Sequence, residues 1–183
     1  MEDAHREKPG VKSPDVWFVP TPPDIVHAML KLARVGSGDL VFDLGSGDGR
    51  IPIVAAADYG ARAVGLELDA ELLRQSSEAS KTQGVEHLTT FLQEDLYTYD
   101  LSAATVVTLY LLPAMNLQLR PKLLRELKAG ARVVSHAFDM ADWSPDERTE
   151  VDGRYLYVWT IGRQATGCAP PMHLVNGQTG VRV

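Results

Sequence analysis

The densest chemistry in the chain lies between Val41 and Arg50, which read Val-Phe-Asp-Leu-Gly-Ser-Gly-Asp-Gly-Arg: an apolar run, an acid, then glycines at alternate positions. Glycine serves where the backbone takes positive φ or where a ligand approaches without meeting a Cβ. Gly45, Gly47 and Gly49 therefore mark a place where something lies against the main chain. A dinucleotide turn needs Gly-x-Gly-x-x-Gly, and counted from Gly45 the third position is Arg50, which argues against a nicotinamide or flavin oxidoreductase. Asp43, two residues before the first glycine, suits a cationic ligand better than a pyrophosphate. Two more acids close apolar runs. Glu67 ends Val64-Gly65-Leu66-Glu67 roughly 20 residues past the glycines, the place where a ribose is held and where one carboxylate accepts from both hydroxyls. Asp95 follows the run from Leu88 to Gln93.

These residues need a scaffold that brings strand ends to one edge, and the periodicity of the chain supplies it. Residues 1 to about 14 are polar with Pro9, Gly10 and Pro14, and read as a flexible arm. Trp17-Phe18-Val19-Pro20 is apolar and precedes a helix from about Pro22 to Arg34, with Thr21 expected as N-cap and Pro22 at the first helical position. His27 in that helix reads as a structural or surface residue rather than a catalytic one. After the glycine turn a helix spans about Arg50 to Tyr59, then a strand Ala61 to Glu67 and a helix from about Ala70 to Gln83 started by Asp69. Leu88 to Gln93 is a third strand, and Tyr97 to Ala103 is too short for a crossover helix. Ala104 to Leu112 is the unbroken apolar run of a buried parallel strand. Leu117 to Lys128 reads as a helix whose regular part begins at Pro121, and Ala131 to Phe138 as another buried strand. Glu147 to Val151 and Tyr155 to Ile161, around Asp152-Gly153, read as a closing β-hairpin, giving seven strands. Gln164 onward reads as a loosely held tail.

Bulk properties narrow the setting. At 183 residues the chain is long enough for one domain with its own core. It holds 24 acidic against 18 basic residues, a net charge of −6, and lacks a dense Lys/Arg run, so nucleic acid is an unfavoured partner. One cysteine, Cys168, gives neither a disulfide framework nor metal-ligand spacing, and a reducing cytoplasm is the expected home. The charged N-terminus has no apolar signal core, and no run approaches the ~18 apolar residues of a membrane span, so a soluble protein is expected.

The pattern Asp43-x-Gly45-x-Gly47-x-Gly49 resembles the first motif of the Rossmann-like, class I S-adenosylmethionine-dependent methyltransferases. The stretches Phe18-Val19-Pro20-Thr21, Asp43 to Arg50, Tyr110-Leu111-Leu112-Pro113 and Ala131-Arg132-Val133-Val134-Ser135-His136 are similar to short bacterial relatives of the lysine methyltransferases that modify the ATP synthase c-subunit and the adenine nucleotide translocase. The resemblance covers about residues 15 to 162. It implies an α/β fold: a single three-layer Rossmann-like domain, a seven-stranded, mostly parallel sheet, and a C-terminal β-hairpin carrying one antiparallel strand. It further implies S-adenosyl-L-methionine as cofactor, with S-adenosyl-L-homocysteine as product. Asp43 would then meet the methionine ammonium, Glu67 the ribose and Asp95 the adenine amino group, with Leu96 beside the ring. Leu44, Ser46, Arg50, Leu68 and the three glycines belong to the same expected site, and Phe18 to a lid over it.

Tyr110 occupies the position that would face the transferring methyl. Together with Asp139 and Trp143 it is expected to take part in catalysis, Asp139 or His136 as proton acceptor and Trp143 and Phe18 as lining for an amine. The Asn/Asp-Pro-Pro-Tyr/Phe motif of nucleobase amino-group methyltransferases is replaced by Tyr110-Leu111-Leu112-Pro113, so the expected acceptor is a protein lysine, with a small molecule as the alternative. A cofactor-binding protein without catalytic activity is a further alternative, a nucleotide-dependent oxidoreductase a remote one.

Overall fold

The computed structural model describes residues 19–163. The expected arm at 1–14, Trp17, Phe18, Cys168 and the expected tail from Gln164 lie outside these residues. Seven strands form one sheet: β1 (Leu40–Leu44), β2 (Arg62–Leu66), β3 (Thr89–Leu92), β4 (Val106–Leu109), β5 (Arg132–His136), β6 (Glu147–Val151) and β7 (Arg154–Thr160). Their order is β3-β2-β1-β4-β5-β7-β6. Strands β1 to β5 pair in parallel, and β7 runs antiparallel to both β5 and β6. The strand order reverses at β1, between β2 and β4, which in an open parallel sheet is where a crevice forms at the carboxyl ends.

Helices α1 (Pro23–Leu32), α2 (Arg50–Tyr59), α3 (Ala70–Thr82) and α4 (Pro113–Glu126) cover the sheet. Alternation along β1 shows how. Val41 packs with Ile25, Met29, Ile51 and Ala55 from α1 and α2. Phe42 and Leu44 point the other way, into a core with Leu119 and Leu123 of α4. Both faces are apolar, and the central strands accordingly read as continuous hydrophobic runs.

Two expected helix starts are corrected. Thr21 does not cap α1; Pro22 is the cap residue, with no side-chain cap bond, and Thr21 is buried at the site instead. Helix α4 begins at Pro113 rather than near Leu117, with Pro121 inside it. Pro113 fits the first turn because its missing N–H is one the helix leaves unpaired there. Pro121 forgoes a bond to the carbonyl of Leu117, and Leu117 is solvent-exposed, so water can take that carbonyl. This earlier start brings the first turn of α4 to the end of β4. The link from β3 to β4 holds turns and no helix, as its length requires.

Gly49 illustrates a glycine placed for packing. It has φ +77, and a Cβ there would lie 2.5 Å from Cβ of Ser76 on α3 and 2.7 Å from the Phe91 ring on β3. Gly49→Ala is therefore expected to lower stability by about 2–5 kcal/mol, from the left-handed backbone and the overpacking together. Urea denaturation checks this. An unchanged midpoint would show that the position is reserved for ligand approach instead of helix packing.

Candidate functional site

A cavity of about 830 Å3 opens at the carboxyl edge of the sheet, lined by residues that follow β1, β2, β3, β4 and β5 and by the segment before α1. The topology accounts for the convergence, since strands that run parallel deliver their ends to one side.

Asp43 sits at the centre. In register it faces Gly65 of β2 and Thr108 of β4, one row across three strands. Its carboxyl lines the cavity yet is only 3% exposed, and its Oδ1 accepts a 2.6 Å hydrogen bond from Thr108 Oγ1. Burial pushes the Asp43 carboxyl up to about 7, the nearby charges of Glu67 and Asp48 adding to the rise and the Thr108 hydroxyl opposing it. Beyond it the turn is pinned to β2: the Gly45 and Ser46 amides both donate to the Leu66 carbonyl at 2.9 Å. Ser46 lines the cavity, and its buried hydroxyl has no hydrogen-bond partner among the described residues. Gly45 also lines the cavity, but Leu44, Gly47 and Gly49 do not. Leu44 is buried in the core, and Gly49 packs as described above.

Glu67, Leu68, Asp95 and Leu96 all line the cavity. The carboxylate of Glu67 is braced in a manner its position in sequence does not reveal. Oε2 accepts from the Gly47 amide at 2.9 Å, and Oε1 accepts from the Leu68 and Asp69 amides at 2.8 and 3.0 Å. It thus ties the glycine turn to the loop after β2 and brings both loops to one place. Asp95 accepts from the Tyr97 amide through Oδ1 at 2.8 Å, which fixes its loop beside the cavity. Arg50 lines the cavity as well, with its guanidinium engaged by both carboxylate oxygens of Asp48 and donating to the Thr21 carbonyl at 2.8 Å.

Tyr110 stands just past β4 in the lining, and its ring stacks on His136 with centroids 3.9 Å apart and planes at 27°. His136 is 1% exposed, and burial, with Arg154 nearby, pushes its imidazole down to about 4 against the opposing pull of Asp24. It is therefore neutral at pH 7. Asp139 and Trp143 are not brought to the cavity. Asp139 is exposed and accepts from the Ala141 amide, while Trp143 packs on Trp159 and its carbonyl accepts from the Trp159 indole N–H. The aromatic that β5 does contribute is Phe138, beside Ala137 at φ 69. That left-handed residue turns the chain so that Phe138 faces the cavity while the two residues expected there fall away from it.

Some of the site residues missing from the sequence reading carry a signal in the sequence and others do not. Gly65 lies inside a strand, where an isolated glycine marks close approach; a Cβ there would meet Ser46 Oγ at 2.5 Å. Thr108 and Met115 are ordinary members of apolar runs and reach the site through register and through the early start of α4.

The residues present suit a cationic nucleoside. The buried acid Asp43 and acids at the ends of β2 and β3 line one continuous cavity, the unpartnered Ser46 hydroxyl is buried in the turn beside it, and neither a bare glycine turn nor a pyrophosphate site has that set of groups. The fold and the site define a class I, Rossmann-like S-adenosylmethionine-dependent methyltransferase, and its cofactor is S-adenosyl-L-methionine, which when bound supplies an electrophilic methyl on a sulfonium. The chain belongs to the family described as the ANTKMT methyltransferase domain, whose model matches residues 43–147. It is 44% identical over 154 residues to a protein-lysine N-methyltransferase of Saccharolobus islandicus (strain REY15A), covering 81% of this chain and 96% of that protein. It is 38% identical over 141 residues to the lysine N-methyltransferase of the ATP synthase c-subunit from Homo sapiens, covering 77% of this chain but only 60% of that protein. Among solved structures, an RNA methyltransferase from Salinibacter ruber in complex with S-adenosyl-L-homocysteine matches with a TM-score of 0.78 and 50% identity, over 80% of this chain and 95% of that one. Among the described residues no helix is long and apolar enough to cross a membrane.

Proposed function

We propose that the chain transfers the cofactor methyl to the ε-amine of a lysine in a protein partner, in the cytoplasm. The observation that carries this reading is the relatedness to lysine methyltransferases from Saccharolobus islandicus and Homo sapiens, joined to a cavity that Tyr110 and Phe138 line together with the acids Asp43, Glu67 and Asp95. In this reading Asp43 and Ser46 hold the methionyl end, Glu67 the ribose, and Asp95 with Leu96 the adenine.

Transfer is an in-line displacement at the sulfonium methyl. The residues of the chain hold donor and acceptor in line, an effect that can supply ~7–11 kcal/mol of the barrier. Lysine must arrive neutral, and with an ordinary pKa of about 10.4 this costs roughly 4.6 kcal/mol at pH 7. A water-poor pocket beside a sulfonium favours the neutral amine, because both burial and a neighbouring positive charge disfavour the ammonium. Tyr110 and Phe138 supply the water-poor wall, the part expected of Trp143.

RNA is the second reading, favoured by the Salinibacter relative and disfavoured by the net charge of −6, which gives phosphates little to bind. Incubating the full chain with methyl-labelled cofactor and whole-cell lysate separates the two. The expected outcome is label in protein that survives ribonuclease and releases methyl-lysine on acid hydrolysis. Label found only in RNA, or only in small molecules, overturns the lysine assignment and leaves the methyltransferase intact.

A further inference from the structure

The segment that leads into α1 crosses the cavity and is tied on both sides. Val19 and Thr21 both belong to the lining, although Val19 is 59% exposed and Thr21 only 4%. The Thr21 carbonyl accepts from Arg50 Nη1 at 2.8 Å, and the Thr21 hydroxyl lies 3.5 Å from His136 Nδ1. Arg50 opens α2 directly after the glycine turn of β1, and His136 closes β5. Strand β4 stands between β1 and β5 in the sheet, so a segment held at both of these points passes over the carboxyl end of β4, where Tyr110 stacks on His136.

We propose that Arg50 is a positioning residue: held in place by Asp48, it latches residues 19–22 across the cavity and so retains the bound cofactor. This rests on the cofactor reading above. The two ties are unequal. A guanidinium donating at 2.8 Å is a charge-assisted bond, whereas a 3.5 Å contact between hydroxyl and imidazole is at the limit of a hydrogen bond. Arg50 is therefore the principal tie and His136 the minor one. The side-chain chemistry also requires arginine. Its fork places Nε and Nη2 on the Asp48 carboxylate while Nη1 remains for Thr21, and a lysine ammonium cannot span the two. This explains a long cation at the position where a dinucleotide turn would carry glycine: the residue closes the site from above instead of admitting a phosphate from below.

The test follows S-adenosyl-L-homocysteine binding to the full chain by stopped flow, together with the backbone order of Val19 and Thr21 from amide NMR relaxation, these being the two residues of 19–22 that carry an N–H. Arg50→Lys is expected to speed ligand dissociation about 10- to 100-fold, the loss of one hydrogen bond to a charged group, and to lower the backbone order of Val19 and Thr21 in the ligand-bound protein. Thr21→Val is expected to speed dissociation no more than about 3-fold, since it removes only the weak tie, and Thr21→Ser to behave as wild type. Asp48→Asn, at a residue outside the cavity lining, releases the Arg50 fork from behind and is expected to act in the same direction; it replaces Arg50→Lys if that variant does not fold. Unaltered dissociation in both Arg50→Lys and Asp48→Asn overturns the latch while leaving the cofactor site standing. Faster dissociation with unchanged backbone order at Val19 and Thr21 also overturns it, because Arg50 would then act on the ligand directly. Failure of the wild-type chain to bind S-adenosyl-L-homocysteine overturns the latch and the cofactor reading together.

Discussion

Replacing Asp43 by asparagine is expected to make the ligand-free protein more stable at pH 8 and to remove its stabilisation by cofactor. The folded chain holds the Asp43 carboxyl at about 7, above its ordinary 3.8. A raised pKa means that the folded state binds the proton more tightly than the unfolded chain. The stability this confers is fully present below pH 3.8 and is lost as pH rises to about 7. At pH 8 the ionised carboxyl therefore costs the ligand-free protein on the order of 4 kcal/mol relative to its neutral form. Asparagine avoids that charge but buries an amide N–H pair, which takes back about 1–3 kcal/mol. The net gain at pH 8 is ~1–3 kcal/mol, a rise of roughly 2–10 °C in Tm for a domain of this size. At pH 5 only about 1.6 kcal/mol of that cost is present, so the gain of the variant is expected to vanish there or turn into a loss of about 1 kcal/mol, and the difference between the two proteins grows with pH. The cofactor shows the other side of the same charge. At ~100 times its dissociation constant it is expected to stabilise the wild type by about 2.7 kcal/mol and the variant by much less. Thermal scans of both proteins at pH 5 and pH 8, with and without S-adenosyl-L-homocysteine, read all of this. A variant that is less stable at pH 8 and keeps the full ligand shift would show that Asp43 is a structural acid.

The site is legible in the sequence where function and local backbone coincide. Asp43, Gly45, Glu67 and Asp95 stand at ends of apolar runs, and parallel strands deliver such ends to one edge, so naming the strands is enough to gather the residues. Helix α2 and strand β6 fall on the expected residues because Gly49 and Gly60, and the Asp152-Gly153 turn, bound them. What escapes is set by tertiary contacts. Thr21 has the composition of a helix cap, but Arg50 draws its carbonyl to the site, and position 22 caps α1 instead. Pro121 looks like a helix start, yet exposure of the preceding turn lets α4 run through it from Pro113. Asp139 and Trp143 follow the last parallel strand, and a chain that continued straight would carry them to the open edge of the sheet. The left-handed backbone at Ala137, a residue with no propensity for it, sends Phe138 into the cavity and turns those two residues outward.

Glu67→Ala is expected to damage the fold as well as the binding site, and to do so more than the loss of a ribose contact would. The carboxylate takes three backbone amides, from Gly47 on one side and from Leu68 and Asp69 on the other. Each is partly buried, and an amide left without its acceptor costs roughly 1 kcal/mol or more, so the variant should lose about 2–4 kcal/mol of unfolding free energy. The glycine turn, untied from the loop after β2, then loses the geometry that places Gly45 and Ser46 in the cavity lining, where the proposed function puts the cofactor. Glu67→Gln separates the two roles. Its Oε1 can still accept from Leu68 and Asp69, but the amide nitrogen meets the Gly47 N–H as donor against donor. This variant should keep most of its stability and bind S-adenosyl-L-homocysteine about 10- to 100-fold more weakly, because a charge-assisted acceptor is replaced by a neutral one. Urea denaturation and calorimetric titration measure the two quantities independently. Wild-type stability in Glu67→Ala would mean that the amides find water at no cost and that Glu67 serves the ligand alone. Wild-type affinity in Glu67→Gln would mean that the ribose is held elsewhere and that the brace is the whole of its role.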